Sequence, residues 1–558
     1  MSRTNDNLIT CMLITANVGT IFEESTLLEL WFQQLKSYLI KIKPQLVAIH
    51  CQEVGGKNYE TSMRNVSNFT DKILGDQTII GDYSRVRIFL DENFQCLEKF
   101  TALGSLYLIH DSVDNVKLYN FKTAKYDLVE GRNIFAVSDK DDVRAATNEK
   151  RNIASSNAAT TNNDQVSPPP LKQKTTNLAE HVEKVKFPLE LFPECRWSRK
   201  GFMRTRWLFN DCQPLDLVNI HLFHDASNLV AMRATPSPYA QNRQKALEYA
   251  LEKISKPLAI EVNSNNNIEL INSKEVQQHD PNSGGYDDQV PLFIFGDFNF
   301  RLDTNRVIQR ITEGVSPVVK KRSDSDEVLE FVYHRKTSSV TISGCDCDNQ
   351  SGSKKINADN GNESSTPNMN SQRDDSNSNH IDPDDGEVVL MTIGKKLFDC
   401  ENLDEMFRAA KNTEWLLELD NELDSFKNKL HEFKISFSPS YPFKEDETGG
   451  YSYMKTRCPS WCDRILFNSA GNRIIYGKNL EDDTSNATLD NEKRIALLQS
   501  QGDVIYRLMG NSVPMGDHKP VLLYCQLKLN RPNPPLKCNL TNSAIAESSS
   551  GLVQSTAM

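Results

Sequence analysis

The chain has little of what would hold it to a membrane or to a nucleic acid. No apolar run approaches the roughly 20 residues that a membrane-crossing helix needs. The start, MSRTNDNLIT, lacks the basic-then-apolar layout of a secretory leader. Basic charge is also short: 64 lysines and arginines face 75 acidic residues, a net charge of −11. With no long basic stripe, a nucleic-acid partner is not expected, and an anionic substrate must be met by a local pocket. Twelve cysteines are scattered without a leader, which points to reduced thiols rather than a disulfide framework. Hydrophobic residues make up only 38% of the chain, low enough to imply polar insertions around one core. A soluble, cytoplasmic protein is expected.

What is present alternates between strand and helix. Leu8 to Val18 and Gln45 to His50 read as strands, and between them Leu27, Leu28, Trp31, Leu35, Tyr38 and Leu39 recur at helical spacing. Thr26 and Glu29 offer a capping box. The order implies an α/β fold. Residues 140–185, 262–289 and 340–388 are polar, low-complexity stretches, expected to be disordered insertions in one catalytic domain spanning 1–530, followed by a flexible tail, 531–558. Leu215 to His221, Pro291 to Phe295 and Pro520 to Gln526 read as further strands.

Several strand ends carry chemistry. PLFIFGDFNFRLD, Pro291 to Asp303, is an apolar strand that delivers Asp297 and Asn299 at its carboxyl end, where active sites concentrate. Asp297 suits an attacking water, and the Asn299 amide suits a developing phosphoryl charge. Read alone, the pair is more readily an Asp-x-Asn turn. MGDHKPVLLY places Asp517 and His518 before another strand, and CPSWCDRIL supplies Asp463, which can fix the tautomer of His518. Glu53, directly after the strand ending at His50, suits a hard divalent cation that keeps several waters, with Asn17 a second oxygen donor or a turn cap. NIHLFHDASN holds His221 at a strand end, favoured over His224. Basic clusters in RKGFMRTRW, which contains Lys200, and in KTRCPSW adjoin these strands, where they can pair with phosphates.

Taken in order, Glu53, Asn219-x-His221-Leu222, GDFNFRL, PSWCDRIL and DHKPV resemble the inositol polyphosphate 5-phosphatase family, and RKGFMRTRW, VNIHLFHDASN and FSPSYPF resemble its type I branch. The resemblance implies an endonuclease/exonuclease/phosphatase-like four-layer sandwich, two mixed β-sheets flanked by helices. It implies magnesium-dependent attack by water without a phosphoenzyme, on soluble inositol polyphosphates: inositol 1,4,5-trisphosphate to the 1,4-bisphosphate, and the 1,3,4,5-tetrakisphosphate to the 1,3,4-trisphosphate, ending calcium-mobilising signals. It gives Glu53 and Asn17 to Mg2+, Asp297 to the water, Asn299, His221 and His518 to the scissile phosphate, Asp463 behind His518, and Asp517 alongside. Tyr441, Lys455 and Arg457 would hold the neighbouring 4-phosphate; Lys200 and Arg464 are further candidate substrate ligands.

Two departures from the family pattern bear on substrate and location. Pro442 follows Tyr441 where most relatives have a lysine, which counts against a lipid substrate. The sequence ends GLVQSTAM with its last cysteine at 538, so terminal prenylation is not expected and any peripheral membrane contact needs another device. Three readings compete. Cys458 and Arg464 have the C-x5-R spacing of thiolate phosphatases, although Pro459 and Asp463 spoil a phosphate cradle. A phosphoinositide lipid phosphatase and a catalytically dead inositol-phosphate scaffold are the others.

Overall fold

The computed structural model describes residues 8–529, except 57, 63, 138–179, 196–197, 212–213, 257–289, 337–386, 446–451 and 479–489. Two sheets carry the site. In the first, Leu8–Asn17 lies parallel to Leu46–Gln52 and antiparallel to Val521–Lys528; beyond these run Ile505–Leu508 on one side and Gly104–Ile109, Arg85–Asp91 and Arg132–Val137 on the other. In the second, Leu292–Asp297 lies parallel to Leu215–His221 and antiparallel to Asp463–Phe467, with Gly201–Phe209, Val116–Asn120 and Lys125–Leu128 beyond. Both sheets are mixed.

Strand alternation explains how they stack. Cys11 and Leu13 point into the core between the sheets with Leu217, Phe293 and Phe295, while Met12 and Ile14 point outward beneath Trp31, Leu35 and Phe69. On the far side, Val218, Ile220 and Ile294 meet Ala246, Leu247 and Ala250 of the helix Pro238–Ser255. The layers are helix, sheet, sheet, helix, the expected α/β sandwich. One element was not foreseen: an antiparallel sheet of Pro317–Lys321, Val328–Lys336, Glu387–Gly394 and Leu397–Cys400.

The first helix, Ser25–Ile42, buries the expected apolar stripe, but the capping box does not form. Thr26 already lies inside the first turn, and Glu29 instead meets Lys72 at 2.8 Å. Of the polar stretches, 262–289 and the tail 531–558 lie outside the described residues. So do 140–185 and 340–388, apart from their ends: the strand Glu183–Lys186 pairs with Gly201–Phe209, and Glu387 and Val388 open a strand. The first of these insertions therefore stops short of 185. No helix among the described residues is long and apolar enough to cross a membrane.

Buried polar groups tie the sheets together near the site. The Asn219 amide donates to Cys51 O at 3.2 Å and Gly104 O at 2.9 Å, and its oxygen accepts from Gln52 Nε2 at 2.8 Å. His50 stacks on Phe295 with 3.6 Å between ring centroids. Gly296 lies where a Cβ would overlap the Ile220 carbonyl oxygen. Gly296→Ala must therefore separate the two strands that aim His221 and Asp297, and is expected to cost about 3 kcal/mol or more of stability in urea unfolding.

Candidate active site

The candidate residues collect at one edge of the sandwich because the strands arrive there in matched register. Leu8–Asn17, Leu46–Gln52, Leu215–His221 and Leu292–Asp297 end at this edge, delivering Asn17, Glu53, His221 and Asp297. The antiparallel neighbours start there: Asp463 stands opposite Asp297, and Gly201, with Lys200 before it, opposite His221. His518 comes three residues before the strand Val521–Lys528.

Asp297 is at the centre, 1% exposed. Its Oδ2 accepts from Asn17 Nδ2 at 3.1 Å, lies 3.2 Å from His221 Nε2 and 3.9 Å from His518 Nε2. Burial alone would raise its pKa, but the charges of His518 and Lys200 and the hydrogen bond of His221 outweigh it and hold the carboxyl far below the usual range. Its Oδ1 accepts from the backbone N–H of Asn299 at 2.9 Å, which fixes the following turn. Asn299 takes a left-handed φ of 53°, with Nδ2 donating to Leu222 O at 3.1 Å.

His518 and Asp463 form a dyad. Nδ1 of His518 lies 2.9 Å from Asp463 Oδ2, which also accepts from Ser440 Oγ at 2.7 Å. Burial opposes a charged His518, yet Asp463 and then Asp297 raise its pKa to about 9, so the ring is an imidazolium near neutrality. Burial raises the pKa of Asp463 against the pull of His518. Asp297, Asp463 and His518 are close enough to bracket a cation, but a protonated histidine already joins the two carboxylates, so a metal is better sought at Glu53.

Glu53 has a left-handed φ of 56°, and a side chain at Gly19 would put a Cβ 2.7 Å from its Oε2. Its carboxylate meets Arg199 at 3.9 Å and His221 at 4.0 Å, with no hydrogen bond among the described residues. Burial pushes its pKa up, but Lys200, His221 and Arg199 bring it to about 2. An ionised, loosely held carboxylate with the Asn17 oxygen nearby is a donor set of the kind magnesium uses. The Asn17 oxygen also accepts from Gly19 N–H at 3.1 Å, so the turn-cap reading of that residue holds.

Lys200, assigned to substrate, lies deep in this cluster, its Nζ against His221 Nε2. Burial lowers its pKa to about 8 in spite of Glu53 and Asp297. Tyr441 forms a wall, its ring 4.4 Å from that of His518, and Arg457 lies nearby with Nη2 3.3 Å from Asp225 O. Two assignments change, those of Lys455 and Arg464. Lys455 is exposed and pairs with Asp399 at 2.9 Å. Asp517 stays alongside, where its charge helps to keep His518 protonated, and accepts from Thr20 Oγ1 at 3.3 Å. Arg464 points to the opposite face of its strand from Asp463, where Asp420, at 2.8 Å, and Glu432 saturate it. Alternation along Asp463–Phe467 compels this. It also closes the thiolate reading, since burial pushes the Cys458 thiol far up and its supposed arginine is already occupied. Arg301 and Ser440 were missed: GDFNFRLD carries the arginine in plain view, but Ser440 meets Asp463 only through the fold.

A family profile, Endonuclease/Exonuclease/phosphatase family 2, matches residues 401–523. Inositol polyphosphate-5-phosphatase A of Homo sapiens is 34% identical over 513 residues, 92% of each chain. The chain belongs to the inositol polyphosphate 5-phosphatase family. The rat protein of the same name matches to the same extent, and a probable type I inositol 1,4,5-trisphosphate 5-phosphatase of Caenorhabditis elegans is 28% identical over 92% of this chain and 99% of its own. Among solved structures, the 5-phosphatase domain of spsynaptojanin aligns over 94% of this chain and 86% of its own at 10% identity, with a TM-score of 0.38, too low to argue from. The protein is a phosphatase of this family.

Two outcomes follow from these contacts. Arg464→Ala strands two buried carboxylates and is expected to cost about 3–5 kcal/mol in urea unfolding. The folded pKa of His518 lies above its unfolded value of about 6.5, so its contribution, on the order of 3 kcal/mol, is complete below pH ~6.5 and lost as pH rises through about 9. In EDTA, the Tm gap between wild type and His518→Asn should narrow over that window.

Proposed function

We propose that the protein hydrolyses the 5-phosphate of soluble inositol polyphosphates with one magnesium ion, converting inositol 1,4,5-trisphosphate to the 1,4-bisphosphate and the 1,3,4,5-tetrakisphosphate to the 1,3,4-trisphosphate, and so ends calcium-mobilising signals. The observation that carries it is a buried, ionised Asp297 set 3.9 Å from a histidine that Asp463 keeps protonated. Support for the substrate comes from the names of the relatives and from the basic side chains at this edge of a net-acidic chain.

Glu53 and Asn17 would hold the magnesium, which supplies Lewis-acid stabilisation of phosphoryl charge when bound. Asp297 accepts a hydrogen bond from the attacking water and aims it. A carboxylate held so far below its usual range is a weak base, so orientation rather than full proton removal is its part. His518 Nε2–H donates to a phosphoryl oxygen, and Asp463 holds the ring at Nδ1 and balances its charge. Lys200 and the Asn299 amide add donors for the same phosphate. Water forms the new O–P bond, the bond to the inositol oxygen breaks, and that oxygen leaves as a hydroxyl after taking a proton. Tyr441 and Arg457 favour an inositol with a phosphate beside the scissile one.

Phosphate release across a panel of inositol phosphates and phosphoinositide lipids, with magnesium or EDTA, tests the reading. Wild type should turn over the trisphosphate only with magnesium, and Asp297→Ala should lose about three powers of ten or more, ~4 kcal/mol of barrier, with its Tm retained. Turnover of lipid alone, or binding of the trisphosphate without release, would sink it.

A further inference from the structure

The antiparallel sheet outside the sandwich ends at the catalytic edge. Its last two strands, Glu387–Gly394 and Leu397–Cys400, are joined by a two-residue turn of Lys395 and Lys396. Asn228, 4% exposed, holds that turn in place. Its backbone N–H donates to Lys395 O at 3.0 Å, and its side-chain amide is shared among Leu397 O and Thr456 O, each at 3.0 Å, and Gly394 O at 3.3 Å. Phe398 N–H donates to Lys455 O at 2.9 Å, and Arg457 Nη1 lies 3.5 Å from Lys395 O. A buried amide committed in this way fixes the turn against the segment that carries Arg457.

Both lysines are exposed, and neither meets a carboxylate among the described residues. Other exposed lysines of this acidic chain do: Lys320 on Glu330, Lys321 on Asp326, Lys427 on Asp424, Lys455 on Asp399 and Lys493 on Asp490. The acids on the segments around the turn are taken, Asp399 by Lys455 and Asp225 by Arg243. The turn also continues a line of groups along one wall. The Tyr441 ring packs on His518, Tyr441 pairs with Ser460 three residues beyond Arg457, the Tyr441 and Arg457 side chains are near enough to interact, and the turn lies against Arg457.

We propose that Lys395 and Lys396 bind the 3-phosphate of the substrate and so set the preference for the 1,3,4,5-tetrakisphosphate over the 1,4,5-trisphosphate. With the 5-phosphate at His518 and the 4-phosphate at Tyr441 and Arg457, the next carbon around the ring in the same direction is position 3, and the next group along the wall is this turn. Two ammonium groups on long stems can close on one solvent-facing dianion without the fixed geometry that a guanidinium fork demands. The selectivity is a difference of affinities, supplied by charges that only the more phosphorylated ligand reaches. This rests on the inositol phosphate reading above.

The test is equilibrium binding to the full chain in EDTA, where no turnover is expected, of the trisphosphate and the tetrakisphosphate, which differ only in the 3-phosphate. The double variant Lys395→Gln, Lys396→Gln should bind the tetrakisphosphate about tenfold more weakly, and the trisphosphate by no more than about threefold, the general effect of removing two positive charges. The charge-retaining pair Lys395→Arg, Lys396→Arg should keep the wild-type ratio within about twofold. With magnesium, the loss should fall on KM for the tetrakisphosphate rather than on kcat. An unchanged ratio of affinities, or equal losses for both ligands, overturns the assignment. Both affinities kept while binding to phosphatidylserine vesicles is lost would make the turn a membrane contact instead. The glutamine pair should melt within about 2 °C of wild type, and a fall of more than about 5 °C would make the turn structural. Phosphate release by the wild type reads the underlying function separately. Release with an unchanged ratio in the variant sinks the role of the turn alone, whereas a wild type that neither binds nor hydrolyses either ligand sinks both.

Discussion

A carboxylate with almost no exposed surface keeps its charge only if the protein supplies what water would have supplied. For Asp297 that means Asn17 from one sheet, His221 from the neighbouring strand and the imidazolium of His518 from the loop before the last described strand. These groups come from chain segments hundreds of residues apart, so the ionised state of one side chain depends on the registration of both sheets. The Asn219 and Gln52 amides between the sheets, and the bare backbone at Gly296, set that registration directly beneath the site. The fold and the chemistry are one constraint seen from two ends.

Charge is divided by the same logic. The chain is acidic as a whole, and five of its carboxylates neutralise four arginines that support the structure: Arg204 and Arg206 on Asp216, Arg243 on Asp225 and Glu422, Arg464 on Asp420 and Glu432. The cations at the catalytic edge are treated differently. Lys200 sits among groups that hold it only loosely charged, and Arg301 has no carboxylate of its own. An overall negative charge therefore coexists with a local attraction for phosphate, because pairing and not composition decides which charges remain available.

Much of the site was legible because it is built from strand ends, and an apolar strand followed by Asp297 or Glu53 is visible in the letters. The His518–Asp463 partnership was legible for a related reason, since both stand at the start of strands that must lie beside others already placed. The failures have physical causes too. Arg464 adjoins Asp463 in sequence, and the alternation of a strand sends it to the other face. Lys455 shares a basic cluster with Arg457, but an exposed lysine pairs with whichever acid the fold brings near, here Asp399. The capping box at Thr26 failed because the helix begins one residue earlier and Glu29 finds Lys72, a partner 43 residues away.

The sequence by itself determined the α/β class, the strand ends that carry reactive groups and, through PSWCDRIL, GDFNFRL and DHKPV, the family, because these are local properties of apolar periodicity and motif. Only the tertiary structure decided which candidates share one pocket, which way each side chain faces, and which proton each holds. Those are set by burial and by charges distant in the chain, so Asp297 could be named from the sequence, whereas its ionisation, the proton on His518 and the unpaired guanidinium of Arg301 could not.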